Sequence, residues 1–114
     1  SGSEIISDAP LDNNGKGEAF SPTDTVANAL ASCMMTIMGI KARDLEVDFV
    51  GSTAEVTKIM NAEPRRIGAI EIVFQMKSNA DEKSKTILER AAMTCPVFLS
   101  LSSEIEKRIS FNWN

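Results

Sequence analysis

Residues Ser21–Ile40 read SPTDTVANALASCMMTIMGI, and this stretch decides how the rest of the chain must fold. Ser21 and Asp24 have the spacing of a helix start, in which the Ser hydroxyl accepts an otherwise unpaired backbone N–H and an acidic side chain sits in the first turn. Pro22 suits the first helical position, where its missing N–H costs nothing. From Thr25 to Ile40 there is no charged side chain. Val26, Leu30, Cys33, Ile37 and Ile40 form one stripe at helical spacing, and Ala27, Ala31, Met34 and Met38 widen it. A helix apolar on most of its circumference belongs in a core. The uncharged run is shorter than the roughly 20 residues that span a bilayer, and Asp24 and Lys41 close it with charge. The expectation is a long, buried central helix carrying a thiol near its middle.

The chain has 114 residues, 43% hydrophobic and 25% charged, which fits one domain over residues 1–114 with one core. A net charge of -4 with scattered Lys and Arg gives no basic face for a nucleic acid. The absence of histidine excludes His-based zinc sites, Ser-His-Asp triads and Cys-His dyads. Any chemistry must use Cys, carboxylates, Lys or Arg. No charged n-region followed by an apolar run opens the chain, so the cytoplasm is the default location and no membrane partner is expected. The chain begins Ser1-Gly2-Ser3 without an initiator Met.

Glu4–Ser7 reads as a strand end, and Asp12-Asn13-Asn14-Gly15-Lys16-Gly17 as an exposed loop. The glycines around Lys16 lack the GxxxxGK[ST] pattern of a phosphate loop. Lys41 and Arg43 suit the last turn of the central helix. Leu45, Val47 and Phe49 then alternate with Glu46 and Asp48, and Ala54 and Val56 resume the alternation after Gly51, which predicts one long strand with a bend. Ile70, Ile72, Phe74 and Met76 predict a second strand, paired with the first as a hairpin. Asn79–Glu82 opens a second helix carrying Ile87, Leu88, Ala91 and Ala92, which ends at Thr94-Cys95-Pro96. Val97–Leu101 suits a short helical turn. Ile105, Ile109, Phe111 and Trp113 predict a last strand, with Lys107 as its one polar residue in register. The fold class is α+β, with helices on one face of a small antiparallel sheet.

The two cysteines, Cys33 and Cys95, lack metal-ligand spacing, so no metal or other cofactor is expected. Taken alone, each is a candidate packing residue, because free Cys behaves as a small buried hydrophobe. Their surroundings say more. Pro22-Thr23-Asp24, the apolar helix with Ala31-Ser32-Cys33, and Thr94-Cys95-Pro96-Val97 together resemble the OsmC/Ohr family of thiol-dependent hydroperoxide reductases. Ile6–Pro10, Gly15-Lys16-Gly17 and the ending Ile109–Trp113 extend the likeness over nearly the whole chain. The resemblance implies an intertwined homodimer whose central helices are wrapped by the sheets of both subunits, with an active site near the interface. It implies Cys33 as the peroxidatic and Cys95 as the resolving cysteine, acting on organic hydroperoxides in stress and antioxidant defence and reset by an external dithiol.

The sequence departs from the family pattern at two places. Thr23 stands where family peroxidases carry a Glu that holds an activating Arg, and the family's N-terminal strand is expected to be absent from this chain. Cys33 lies about three turns into its helix, beyond useful reach of the helix dipole. Arg43, Arg65, Arg66 and Arg90 are candidate cations, each reading as solvated surface. A non-enzymatic member of the same fold, with packing or inactive cysteines, is the alternative. A secreted domain with one structural disulfide is a third reading.

Overall fold

A computed structural model describes residues 1–114. The central helix forms as α1, Pro22–Asp44. Its start is a reciprocal capping box: the Asp24 N–H donates to Ser21 Oγ at 3.0 Å, and the Ser21 N–H donates to Asp24 Oδ2 at 3.1 Å. At 23 residues the helix is long enough to cross a bilayer, yet one face is packed on a sheet as in a core helix. That face is Ala27, Leu30, Ala31, Met34, Met38 and Ala42, all buried. Of the expected stripe, Leu30 is fully buried, Val26, Cys33 and Ile37 are half-buried, and Ile40 is 52% exposed. The helix is therefore buried along one side rather than all round.

The long strand expected from Leu45 does not form there. The Val47 N–H reaches back to the Ala42 carbonyl at 2.8 Å, and Glu46 adopts a left-handed conformation at φ 56°, so the backbone closes the helix and turns. Leu45, Val47 and Phe49 alternate because they lie half-buried in this turning segment; the Phe49 ring sits over Gly39. Gly51, at φ 94°, supplies the turn into the sheet.

Three strands follow: β1 Thr53–Ala62, β2 Arg65–Met76 and β3 Glu106–Trp113. β1 and β2 make the expected antiparallel hairpin, with Val56 opposite Ile72 and Ala54 opposite Phe74. β3, expected antiparallel, instead runs parallel to β2, with Ile109 opposite Ile72 and Phe111 opposite Phe74. The connection explains the difference. Between β2 and β3 the chain forms α2 Glu82–Ala92 and α3 Pro96–Ser100, a helical crossover that returns the chain to the same end of the sheet, which only a parallel strand can use. Helix α2 starts at Asp81, whose carboxylate accepts the Ser84 N–H at 2.8 Å.

One sheet face meets the helices. Ile70, Ile72, Phe74 and Met76 of β2 are buried there, flanked by Ala54 and Val56 on one side and Ile109, Phe111 and Trp113 on the other. Phe74 and Phe111 stack at 5.1 Å across the strands. Each such side chain removed from water stabilises the fold by roughly 1.5–3 kcal/mol. Trp113 joins α2 as well, through its indole N–H to Glu89 at 3.1 Å.

Residues 4–7 form no strand. Beyond them the Asp8 carboxylate accepts the Lys16 and Glu18 N–H groups, both at 3.2 Å. The Gly15 and Gly17 amides bond to Pro10 and Ala9 carbonyls. This is the ordinary loop that the sequence predicts, its amides spent on the Asp8 side chain and on its own backbone.

Candidate active site: a dithiol between α1 and α3

Cys33 comes from the middle of α1, and Cys95 from the junction where α2 ends and α3 begins. Thr94 closes α2 by donating its hydroxyl to the Ala91 carbonyl at 2.7 Å. Pro96 then forbids further α2 helix and, as the first residue of α3, leaves Cys95 as the N-cap of a new turn. The Cys95 sulfur performs the capping itself, accepting the Phe98 N–H at 3.2 Å.

The fold brings the two cysteines into one cluster: Cys33 packs against the buried core that contains Cys95, near enough to influence its thiol. Both are free thiols. Their environments differ. Cys95 is fully buried, whereas Cys33 is half-buried. Burial is the largest influence on the Cys95 thiol and pushes it above the ordinary thiol range. The Phe98 N–H opposes that shift, the neighbouring Cys33 side chain adds to it, and the Val97 N–H opposes it again. Cys95 therefore keeps its proton at neutral pH.

A groove of about 400 Å³ lies between α1 and α2; neither cysteine lines it, but Thr94, which precedes Cys95, and Ile37, one turn beyond Cys33, do. Ile37, Ile40, Ile87 and Ala91 give it an apolar wall, and Lys41 and Arg90 line it too. Three of the five arginines are engaged elsewhere, Arg65 with Asp12 at 3.5 Å, Arg66 with Glu104, and Arg108 with Glu106 at 2.7 Å. Arg43 is exposed at the far end of α1.

A lysine that the sequence reading passed over occupies the start of α1. Lys58 Nζ lies 2.9 Å from Asp24 Oδ1 and donates to Thr23 Oγ1 at 3.0 Å. Thr23, expected to lack the charge-holding role of a Glu, thus still helps to hold a cation. The hydrogen bond with Lys58 is the main reason that the Asp24 carboxyl lies below the ordinary aspartate range, followed by the Ser21 N–H. The signal was present in the sequence: Lys58 continues the inward-facing series Ala54, Val56.

A family model described as OsmC-like protein matches residues 15–110. No curated protein sequence matches this chain. Among solved structures, a protein from Psychrobacter arcticus 273-4, named for an osmotic stress induced and detoxification response, is 52% identical with a TM-score of 0.91; the alignment covers 96% of this chain and 80% of that one. An OsmC like protein from Mycoplasma pneumoniae is 16% identical with a TM-score of 0.74, over 92% of this chain and 77% of that one. An organic hydroperoxide resistance protein from Legionella pneumophila is 14% identical with a TM-score of 0.68, over 92% and 78%. The last two show a shared fold. The family match over most of the chain and the 52% identity go further: this chain belongs to the OsmC-like protein family.

Proposed function

We propose that the chain is a two-cysteine, thiol-dependent peroxidase that reduces organic hydroperoxides in stress defence. The observation that carries the reading is the packing of the half-buried Cys33 against the core that holds the fully buried Cys95. The more accessible sulfur is the one that a peroxide reaches, and the protected one is held in reserve. Cys33, as thiolate, attacks the distal peroxide oxygen; the O–O bond breaks, the alcohol leaves with a proton, and Cys33 becomes a sulfenic acid. The Cys95 sulfur then attacks the Cys33 sulfur, its proton leaves with the hydroxyl as water, and a disulfide forms. An external dithiol returns both to thiols by exchange. The apolar wall of the neighbouring groove favours a hydroperoxide with a hydrocarbon body over hydrogen peroxide. The family's hydroperoxide resistance proteins, such as that of Legionella pneumophila, are consistent with the same chemistry.

A homodimer belongs to the same proposal. Ile40 is 52% exposed on a helix whose other face is core, and an apolar face of this kind suits an obligate interface. Sedimentation at micromolar concentration should give a dimer; a stable monomer would remove this part.

The activity test uses an alkyl hydroperoxide and a small dithiol. Cys33→Ser should abolish peroxide consumption. Cys95→Ser should allow one turnover and then leave Cys33 as sulfinic or sulfonic acid. Full activity in both variants would refute the proposal and favour a non-enzymatic role, for which the capping of α3 by Cys95 is the supporting observation.

A further inference from the structure

Lys107 faces inward. In β3 the half-buried positions are Lys107, Ile109, Phe111 and Trp113, so an ammonium stands in the row that otherwise meets the core. A cation placed there is costly unless its hydrogens are satisfied, and its partners are unusual for a lysine. It takes part in no ion pair. Instead Nζ donates to the carbonyls of Ser102 at 3.1 Å and Ile105 at 3.3 Å, and lies over the Phe98 ring at 5.3 Å. The two carbonyls fix the ammonium, and the ring face is attracted to it.

Phe98 is the residue whose N–H holds the Cys95 sulfur at 3.2 Å. It belongs to α3, a helix of 5 residues, too short to persist without tertiary anchors. A continuous path therefore runs from Lys107 through the Phe98 ring to the Phe98 amide and the Cys95 sulfur, which lies in the cluster that Cys33 packs against. The Ser102–Ile105 segment that supplies the carbonyls is itself tied to the sheet, since Arg66 pairs with Glu104 and donates to Ser102 Oγ at 3.4 Å.

We propose that Lys107 is a positioning residue for the dithiol: by clamping Phe98 against its ammonium it fixes α3, and so holds the Cys95 sulfur where it can close on Cys33. Disulfide formation needs the sulfurs about 2.05 Å apart at a narrow dihedral angle, and displacing one reacting group by about 1 Å can cost up to about a hundredfold in rate. Loosening α3 thus reduces the fraction of time in which closure is possible. The inference deepens the two-cysteine reading and rests on it for its biological meaning, but its test does not need a peroxide.

Diamide oxidises both thiols directly: the sulfurs join, and the two thiol protons and two electrons pass to the N=N bond, which becomes a hydrazine. Closure of Cys33–Cys95 is followed by mass spectrometry under single-turnover conditions in the wild type, K107M, K107R and F98L. K107M keeps the stem without the charge, K107R keeps the charge, and F98L removes the ring. The expected result is closure slowed roughly tenfold in K107M and F98L, and restored to within about twofold of wild type in K107R. Wild-type closure in either K107M or F98L would overturn the proposal, as would a K107R rate as slow as K107M. Should K107M not fold, F98L decides by the same criterion. Closure is scored whether or not the chain reduces peroxides, so failure here and failure of the peroxidase reading are separate results.

Discussion

Replacing Cys95 by alanine and by serine separates its two jobs, because both variants lack the second thiol and only alanine lacks the helix cap. Cys95 is 0% exposed, and its sulfur accepts the Phe98 N–H at 3.2 Å. Cys95→Ala deletes a buried group of about methylene size, costing roughly 0.8 kcal/mol in transfer, and removes the cap, costing about 1 kcal/mol more. The expected loss is therefore about 2 kcal/mol. Cys95→Ser forfeits the apolar transfer but keeps an oxygen that accepts the N–H at least as well, so the cap survives and the loss is about 1 kcal/mol. For a chain of 114 residues, about 1 kcal/mol corresponds to roughly 4 °C in Tm. The assay is urea and thermal unfolding under reducing conditions at one fixed protein concentration, since any assembly makes stability concentration-dependent. Serine should exceed alanine by about 1 kcal/mol with an unchanged denaturant slope. Equal stability, or serine below alanine, would refute the assignment of the sulfur as the cap of α3.

The Asp24 carboxyl is held below its ordinary range by Lys58 first and by the Ser21 N–H next, so over that window the unfolded chain binds more protons than the folded one. The stabilisation is present above the unfolded value near pH 4 and is lost as pH falls through the lower folded value. The stability gap between wild type and Asp24→Asn, followed by urea unfolding, should be flat above about pH 5 and shrink below about pH 4; a gap unchanged by acid would contradict the pairing. Asp24 is 41% exposed at its side chain, so solvent screening keeps the gap small. Phe74, fully buried and stacked on Phe111, should cost about 3–5 kcal/mol when changed to alanine, read as the urea midpoint. At Gly15 an added Cβ would clash with the Ala9 carbonyl oxygen. Gly15→Ala should therefore disorder the residue 8–18 loop, seen as faster amide exchange of Lys16 and Glu18, while the exchange of β2 amides stays unchanged.

Much of this architecture is written in local patterns. The Ser21–Asp24 cap, the Asp81 cap and the break at Cys95–Pro96 depend on neighbours within a few residues, so the sequence states them directly. The alternation in β2 and β3 likewise identifies the inward face, down to Lys107 as its polar member. Errors arose where the deciding contact was distant. Leu45, Val47 and Phe49 alternate like a strand, but the Val47 N–H belongs to the Ala42 carbonyl and the Phe49 ring to Gly39. The direction of β3 depended on where a helical crossover delivers the chain, which side-chain alternation does not encode. On α1 the apolar residues cover so much of the circumference that periodicity could not choose the buried face, and the sheet selected Leu30, Met34 and Met38 over Ile37 and Ile40.

For the site, the small-residue setting of Cys33 and the Cys-Pro step mark both sulfurs, but their shared cluster is a matter of tertiary packing. Alternation places Lys58 and Lys107 on the inward face but does not say what they bind. A lysine in an alternating strand looks solvated until its partners, Asp24 and Thr23 for one and two carbonyls and a ring for the other, arrive from other elements.

The central claim is that Cys33 and Cys95 act as one redox unit, and the most direct measurement is the thiol balance of a single turnover. Reduced chain, freed of small thiols, is mixed with one equivalent of an alkyl hydroperoxide; free thiols are then counted and the digest is examined by mass spectrometry. The account predicts one peroxide consumed per chain, both thiols lost, and a peptide pair joined Cys33 to Cys95 within one chain. Peroxide consumed with both thiols intact, or thiol loss confined to bonds between different chains, would contradict it.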